Sequence, residues 1–391
     1  MHPARGCRGR AKMLCMADDL LDHAGACPTL EDLTETGDRE RRVLQLVTHD
    51  KLGGVKTLVD MVTAGLEERG FVVERRALGR GGPVPTLRNL VSLARDILKG
   101  RYRAILTYQV AASVFGNFFG WLGRVPLRIA HHTASPEGLP LPWKAVDCLL
   151  GASGVYTHMV INSEATRAAF TRWPVAYKKR FVDITHGVDP LPPAKGLTNW
   201  RHKRQIPETA IVLVATGRLV AQKNYGVAID ALALLRGVHL VIAGDGPDQA
   251  ALETRAQRLG VFDRLHLIGP VERADLGDVL AAGTLYVFPS LWETFGLAGV
   301  EATMAGMPVV ASDLPVLREV LATGEPDAVK AMIRFHDMRD ADELALAIQD
   351  LVGNYPSPTT REKFAEAQRL RHGRERMLDL YGALLAPVNA G

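Results

Sequence analysis

From Arg42 onward, short apolar runs alternate regularly with longer amphipathic stretches, and this alternation constrains the fold more than any other feature. The apolar runs of the first half are 43–47, 72–78, 103–108, 127–130, 159–162 and 181–185. A second series begins at 211–215 and continues with 238–243, 265–268, 285–288, 309–311 and 332–335. Alternation of this kind is typical of parallel sheets with helices on both faces. The sequence therefore predicts an α/β chain with two doubly wound domains.

A segment rich in breaker residues, 191–196, separates the two series. A chain of 391 residues suits two domains of roughly 150–200 residues each. We predict a partly disordered extension, two Rossmann-like domains, and a C-terminal helix that packs back towards the first domain, at residues 1–40, 41–195, 196–358 and 359–391. Because such sheets bind ligands at the carboxyl ends of their strands, we expect the two domains to face a central cleft.

Charge balance and cysteine pattern exclude several classes of protein. The net charge of +4, from 47 Lys+Arg and 43 Asp+Glu, is too balanced for binding nucleic acid by bulk charge. The four cysteines form no CxxC pair, so neither a zinc site nor a disulfide framework is indicated. Asp18 and Asp19 interrupt the basic N-terminus, which argues against a secretory signal. We therefore expect a cytoplasmic protein that binds no nucleic acid.

Residues 104–123 form an uncharged run of 20 residues, which is long enough to span a bilayer. The run also contains four polar side chains, at Thr107, Gln109, Ser113 and Asn117. It divides naturally into a strand at 104–108 and a helix at 111–122. We therefore favour a buried strand–helix pair over a membrane-spanning helix.

Two loops that follow predicted strands carry residues suited to binding an anion. Gly53 and Gly54 follow the first strand and open a helix, so a ligand can approach the backbone closely. An ordinary glycine turn is the alternative, and the GxGxxG fingerprint is absent. Arg218 and Lys223 follow the strand at 211–215, where a guanidinium and an ammonium can clamp a diphosphate. Two solvated surface cations are the alternative there.

The strand-to-helix turn at 289–302 is the most informative motif. Backbone N–H groups at 295–297 would begin the helix and face a phosphate or a sugar hydroxyl. Glu301, about one turn further on, can accept two hydrogen bonds from a ribose diol, and Glu293 can reach a hydroxylated ring. A glycine-hinged loop with Glu293 as a helix-start charge is the alternative.

Adjacent histidines, His131 and His132, end another predicted strand. Successive side chains of a strand point to opposite faces, so at most one of the two faces a given cleft. A lone histidine is usually structural, but its position at a strand end raises the odds of a functional role.

Together these residues resemble the retaining glycosyltransferases of the GT-B fold, in particular glycosyltransferase family 4, the glycosyl transferases group 1 type. Glu293 and Glu301 match the E-x7-E motif of that family, and Arg218 and Lys223 match its Arg/Lys pair. Gly53 and Gly54 match the Gly-Gly turn early in the first domain of that family. Its G-x-G-P turn is matched by residues 244–247, and its NGVD stretch is matched by residues 186–189. The resemblance covers about residues 43–385, and its second domain is the specific part. His186 replaces the usual Asn, and 312–319 lacks a Gly-Gly pair found in many members.

The resemblance implies a role for each matching residue. The donor diphosphate would be held by Arg218 and Lys223, without a metal or a cofactor, and the nucleotide ribose by Glu301. His132, favoured over His131 by its match to the family's strand end, and Glu293 would be the catalytic residues. The complete set implied to bind the donor is Gly53, Gly54, Arg218, Lys223, Glu293, Thr294, Phe295, Gly296, Leu297 and Glu301.

The resemblance also implies the reaction: a sugar moves from a UDP- or GDP-sugar to a hydroxyl of a glycan or lipid-linked acceptor, with retention, in polysaccharide, glycolipid or other glycoconjugate biosynthesis. Two alternatives stay open, a nucleotide-sugar 2-epimerase of the same fold and a nucleotide-sugar-binding protein without turnover. Basic and aromatic residues around 172–180 and 115–121 suggest peripheral contact with an anionic membrane at its inner face. A solvated basic face beside a core aromatic cluster is the alternative.

Overall fold

The computed structural model describes residues 41–48, 54–79, 87–100, 102–132, 139–192, 194–196, 198–337 and 339–386. The predicted extension at 1–40 and the predicted donor residue Gly53 lie outside the described residues. The chain divides into two compact units, of which the second is Val188–Gly373 and the first holds the chain on either side of it. The predicted boundary at 195/196 lies further along the chain, in the Pro-rich segment.

The first unit is built on a six-stranded parallel sheet with the order β2-β1-β3-β4-β5-β6. Its strands are β1 Arg42–Val47, β2 Val72–Ala77, β3 Ala104–Tyr108, β4 Leu127–His131, β5 His158–Ile161 and β6 Phe181–Asp183. Its helices are α1 Gly54–Glu68, α2 Leu87–Lys99, α3 Val110–Leu122, α4 Leu141–Ser153, α5 Glu164–Ala169 and α6 Val175–Lys178. The strand order reverses between β1 and β3, which makes that pair the topological switch point of the unit.

The second unit carries another six-stranded parallel sheet, with the order β12-β11-β10-β7-β8-β9. Its strands are β7 Ile211–Thr216, β8 Val238–Ala243, β9 Leu265–Leu267, β10 Leu285–Phe288, β11 Val309–Ser312 and β12 Ile333–His336. Its helices are α7 Thr198–Lys203, α8 Tyr225–Leu234, α9 Gln249–Arg258, α10 Arg273–Ala281, α11 Leu297–Met304, α12 Pro315–Leu321, α13 Pro326–Met332, α14 Ala341–Gly353 and α15 Pro358–His372. This is the strand order of the Rossmann fold, with its switch point between β7 and β10.

The apolar runs at the centre of each sheet became strands whose two faces are both covered. All five residues of β3 and all four of β10 are buried, as near-continuous apolar runs in parallel sheets require. Residues 104–123 fold as β3 and α3, in agreement with the prediction of a strand–helix pair. Among the described residues, the helices are too short or too polar for any of them to cross a membrane.

The C-terminal region folds as two helices, where we predicted one. A last helix, α16 Arg374–Leu385, follows α15 after a break at Gly373, whose backbone is extended. A Cβ on Gly373 would lie 2.7 Å from the carbonyl oxygen of Arg369. Helix α15 packs on α11 in the second unit, whereas α16 packs on α1 in the first. Arg69, which directly follows α1, donates to Glu375 and Asp379 at 2.9 Å each.

The Pro-rich segment is held by the second unit. The backbone N–H groups of Lys195 and Gly196 donate to the Asp278 carboxylate on α10, at 2.5 and 3.2 Å. A Cβ on Gly277 would lie 2.3 Å from the carbonyl oxygen of Pro192. The segment therefore follows the surface of α10 instead of forming a free linker.

Candidate functional site

Two glycine turns interlock at the carboxyl ends of β7 and β8. The N–H of Gly217 donates to the Ala243 carbonyl at 2.9 Å, and the N–H of Leu219 donates to the Asp245 carbonyl at 2.7 Å. Gly244 has a φ of +149°, and a Cβ there would lie 1.9 Å from the Gly217 oxygen. Only glycine permits this conformation and this approach. The contact fixes the loop that carries the predicted cations Arg218 and Lys223.

Lys223 and Glu293 form an ion pair at the switch point of the second unit. The Lys223 ammonium lies 2.6 Å from Oε1 of Glu293, and the side chains are 16% and 9% exposed. The Ser290 hydroxyl donates to the same carboxylate oxygen at 2.8 Å. The ammonium also lies 5.1 Å from the ring centroid of Phe288. The structure thus brings two predicted donor residues, 70 positions apart, into direct contact.

Gln222 joins the loops that carry this pair. Its carbonyl accepts from the N–H of Leu291 at 2.8 Å, and its side-chain amide donates to the Trp292 carbonyl at 2.9 Å. Arg218 is exposed and forms no ion pair with another described residue. The predicted clamp therefore consists of one cation held by a carboxylate and a second cation with no such partner in the described part of the chain.

Gly296 makes the turn from Glu293 into α11. It has a φ of +90°, and a Cβ there would lie 2.6 Å from Cδ2 of Leu317. Phe295 is buried and meets the ring of His372 edge-on at 5.7 Å. The helix begins at Leu297, within the predicted stretch, so its first N–H groups lie at this turn. Thr294 is half-buried in the same turn.

Glu301 lies on α11 and forms an ion pair with Arg273 at the start of α10. Arg273 also donates to the carbonyl of Asp189 at 2.5 Å. Burial raises the pKa of the Glu301 carboxyl above its usual value, and Arg273 opposes that rise. The carboxylate predicted to bind ribose is therefore already held by a cation that the sequence motif does not contain.

The two neighbouring histidines at the end of β4 have different surroundings. His131 is buried, with Nδ1 3.0 Å from the Thr107 carbonyl and Nε2 2.8 Å from the Tyr381 hydroxyl. Burial lowers the pKa of His131 to about 3. His132 is partly exposed, and its Nε2 lies 3.0 Å from the Tyr177 hydroxyl. His131 therefore has a structural role.

Two predicted positions of the first unit remain, Gly54 and His186. Gly54 is the exposed first residue of α1, and its partner in the motif is not described. His186 is buried, and its Nε2 lies 2.9 Å from the Asn162 amide nitrogen. Burial lowers the pKa of His186 to about 4, so the histidine that replaces the usual Asn is neutral.

Reasoning from the sequence missed several residues that contact the predicted ones. Ser290 precedes Glu293 by one short turn and was visible within the motif as a hydrogen-bond donor. Arg273 and Tyr177 carried no local signal, because each meets its partner through the tertiary fold.

The chain is similar to known proteins in both sequence and fold. Residues 198–371 match the family model described as Glycosyl transferases group 1. Glycogen synthase of Mycobacterium tuberculosis is 32% identical over 192 residues, which cover 48% of this chain and 43% of that protein. The GDP-mannose-dependent alpha-(1-6)-phosphatidylinositol dimannoside mannosyltransferase of the same species is 37% identical over 137 residues, or 32% of this chain and 35% of that protein. The chain thus spans less than half the length of either relative.

Solved structures extend the likeness to both units. The crystal structure of HepE from Anabaena in complex with UDP-glucose has a TM-score of 0.74 and 20% identity, covering 88% of this chain and 99% of that chain. At this identity the likeness concerns the fold. The expected fold class is confirmed, because the two units have the GT-B fold. Through residues 198–371 the chain is similar to the glycosyl transferases group 1 family, in agreement with the expected resemblance.

Proposed function

We propose that this protein is a retaining glycosyltransferase that moves a sugar from a nucleoside diphosphate donor to an acceptor hydroxyl. The observation that carries the proposal is the Lys223–Glu293 pair at the switch point between β7 and β10, with Arg218 on the same loop as Lys223. Ligands of doubly wound sheets bind at such a point. A largely buried carboxylate paired with one cation, with a second cation on the same loop, suits a ligand with both hydroxyl and phosphate groups.

The chemistry follows from where charge develops. Breaking the bond between sugar and phosphate builds negative charge on the leaving diphosphate. Arg218, Lys223 and the N-terminus of α11 at Leu297 would stabilise that charge from fixed positions. Glu293, held by Ser290, would accept hydrogen bonds from the sugar, and Glu301 from the ribose. No protein nucleophile is assigned.

The proposal includes independence from metal ions, because the cations of the loop at 218–223 would neutralise the diphosphate. Turnover should persist in excess EDTA and should not rise when Mg²⁺ or Mn²⁺ is added. Activity that disappears with EDTA and returns with either ion would refute this part of the proposal.

The acceptor is proposed to be a glycan or a lipid-linked glycan. The curated relatives named above include a polysaccharide synthase and a mannosyltransferase of a phosphatidylinositol glycan. The donor is proposed to be a UDP- or GDP-sugar, since HepE was solved with UDP-glucose and the mannosyltransferase depends on GDP-mannose.

Peripheral contact with an anionic membrane is a further part of the proposal. Trp121 is 50% exposed and lies near the end of α3 with exposed Leu122, while exposed Arg95 and Lys99 lie on the neighbouring α2. Of the other predicted aromatics, Phe118 is also exposed, whereas Phe115 and Phe119 pack against the core of α2 and α3, and Trp173 packs in the core around Tyr177. Trp121→Ala should weaken sedimentation with vesicles containing anionic lipid. Equal sedimentation of both proteins, or none at low salt, would contradict the contact.

The central test compares two exposed arginines of the second unit, Arg218 and Arg258, neither of which is in an ion pair with a described residue. Release of nucleoside diphosphate would be measured over a panel of UDP- and GDP-sugars. Arg218→Ala should lower kcat by about 10²–10³, the cost of removing one preorganised donor at a developing charge. Arg258→Ala, on the outer surface of α9, should retain the wild-type rate.

Three outcomes would contradict the proposal. A near wild-type rate for Arg218→Ala would refute the clamp. Epimerised donor formed without an acceptor would indicate the 2-epimerase instead. Tight donor binding with no diphosphate released under any acceptor would indicate a binding protein.

A further inference from the structure

A buried carboxylate in the first unit is held by two tyrosines. Asp147 lies on α4 and is 2% exposed. The Tyr156 hydroxyl donates to its Oδ1 at 2.8 Å, and the Tyr177 hydroxyl donates to its Oδ2 at 2.6 Å. Both tyrosines are fully buried. Asp147 and Tyr177 have no part in the donor site of the second unit, yet the Tyr177 hydroxyl also lies 3.0 Å from Nε2 of His132.

The hydrogen bonds that link Asp147, Tyr177 and His132 determine which ring nitrogen of His132 carries a proton. A tyrosine hydroxyl has one proton, and the proton of Tyr177 is donated to the Asp147 carboxylate. Towards His132 the Tyr177 oxygen can therefore only accept, so Nε2 of His132 must carry a proton. A neutral imidazole then has a bare Nδ1.

The neighbouring His131 has the opposite tautomer, because its Nδ1 faces a backbone carbonyl. Nδ1 of His131 lies 3.0 Å from the Thr107 carbonyl, which only accepts, so Nδ1 carries the proton. Nε2 of His131 then accepts from the Tyr381 hydroxyl. One strand end thus carries two histidines with opposite tautomers, and only His132 is partly exposed.

The groups around His132 favour its neutral form. Phe170 lies 4.5 Å from its ring, Phe181 on β6 lies 6.5 Å away, and the backbone N–H of His132 donates to the Val160 carbonyl on β5. Burial lowers the pKa of His132, and the charge of Asp147 opposes that shift. His131, the other titratable neighbour, is itself held neutral by burial, which lowers its pKa to about 3.

We propose that Asp147 and Tyr177 are positioning residues that hold His132 as the Nε2–H tautomer, so that its bare Nδ1 accepts a hydrogen bond from a hydroxyl of the carbohydrate substrate. The contact with substrate rests on the proposed function, whereas the tautomer does not.

The tautomer can be read directly from the ring nitrogens. Two-bond ¹⁵N–¹H correlation spectra of the full-length protein labelled with ¹⁵N-histidine distinguish a protonated Nε2 from a protonated Nδ1, and His132→Gln assigns the signal. Wild type should show Nε2–H at His132. Asp147→Asn should shift it towards Nδ1–H, because the amide can donate to Tyr177 and release that hydroxyl's proton to Nε2.

Tyr156→Phe is the matched control. It removes a buried hydroxyl from the same carboxylate but leaves the proton count at Tyr177 unchanged, so His132 should stay Nε2–H. Nδ1–H in the wild type, or an unshifted Nε2–H in Asp147→Asn, would overturn the proposal. Circular dichroism would verify that each variant is folded.

Turnover then tests the contact with substrate. Asp147→Asn should lower kcat/KM by about tenfold, the value of one hydrogen bond to a bound substrate, while Tyr156→Phe retains the wild-type value. A shifted tautomer with unchanged kcat/KM would refute the substrate contact. A wild-type protein that turns over no nucleotide sugar would refute the proposed function and this contact with it, while the spectra still decide the tautomer.

Discussion

The two units share a parallel-sheet architecture but hold their strand ends in place by different means. In the second unit, glycine turns bring backbone against backbone, as Gly244 does against Gly217. In the first unit, side chains do this work: the amide oxygen of Gln109, which follows β3, accepts from the N–H of Thr48 after β1 at 2.9 Å. His131 and Tyr381 form a second such contact.

This difference concerns the residues that the sequence predicts as a site. In the second unit, backbone turns fix the loops on which the predicted donor residues Lys223 and Glu293 pair with each other, whereas polar side chains at the strand ends of the first unit, such as Gln109 and His131, are occupied by structural contacts. The family model accordingly matches 198–371, within the second unit. The first unit also depends on a helix that returns from the end of the chain, while the second is continuous.

The largest expected effect is loss of the first unit when α16 is removed. Five of its apolar side chains lie in that unit's core: Met377, Leu378, Leu380, Tyr381 and Leu385. Each contributes roughly 1.5–3 kcal/mol, so their sum is comparable to the stability of a whole domain. Deleting residues 374–391 should abolish the unfolding transition of the first unit and leave that of the second, as followed by differential scanning calorimetry.

Leu378→Ala gives the same test at one position, with an expected loss of about 2–5 kcal/mol. Leu370→Ala, on the neighbouring helix α15 and 73% exposed, is its control and should change stability by less than about 0.5 kcal/mol. Two intact transitions after deletion would show that the first unit folds without α16.

The next effect concerns the backbone contact of the second unit. Gly244→Ala would place a Cβ 1.9 Å from the Gly217 oxygen, at a φ of +149°. We expect a loss of about 3 kcal/mol or more, because backbone must move at both turns. Gly237→Ala, with a φ of +67° and no atom within 4 Å of the added Cβ, should cost only about 1 kcal/mol. Equal urea midpoints for the two variants would contradict the interlocked turns.

Much of the fold could be predicted from sequence because apolar runs report burial directly. The observed bounds of β8 and β10 equal the predicted runs 238–243 and 285–288. The break at Gly373 could not be predicted, because one glycine costs a helix only about 1 kcal/mol and the pattern continues beyond it. What ends α15 there is the return of the chain to the first unit, which is a tertiary effect.

The candidate site could likewise be predicted from the sequence only in part. The residue types at strand ends could be read locally, so Arg218, Lys223 and Glu293 were named from sequence. Their partners could not, since the contact between Arg273 and Glu301 joins α10 to α11 across 28 positions. The alternation of side chains along a strand predicts that His131 and His132 point to opposite faces. It does not predict that the hydroxyl of Tyr381, on α16, forms a hydrogen bond with Nε2 of His131.

A smaller effect is expected on the pH dependence of the first unit's stability. The pKa of buried His131 is lowered to about 3, so between pH 6.5 and 3 the unfolded chain binds a proton that the folded chain does not. This contribution to stability is complete above pH 6.5 and falls by about 1.4 kcal/mol per pH unit below it. In His131→Gln the slope should decrease by that amount, as measured from urea unfolding at several pH values. The exposed His202→Gln should leave the slope unchanged, and an unaltered slope in His131→Gln would contradict the assignment.

The smallest effect concerns Arg273, whose charge opposes the rise in the pKa of the Glu301 carboxyl within the second unit. Burial raises the pKa of Glu301, so its charged form is a cost to folding that grows as pH rises above the unfolded value near 4.5. Arg273→Ala should raise that pKa further and lower stability at pH 7 by about 1–2 kcal/mol, a value reduced by the partial exposure of the arginine. The loss should shrink as the pH falls, because protonation of the carboxyl removes the charge that Arg273 offsets.

The double variant Arg273→Ala/Glu301→Gln separates charge from packing. Without a carboxylate the cost of burial disappears, so the double variant should be more stable at pH 7 than Arg273→Ala, and the difference should vanish at low pH. If the double variant is no more stable than the single one, Arg273 acts through its hydrogen bond to the Asp189 carbonyl. In that case the ionisation of Glu301, and with it the proposed ribose contact, does not depend on this arginine.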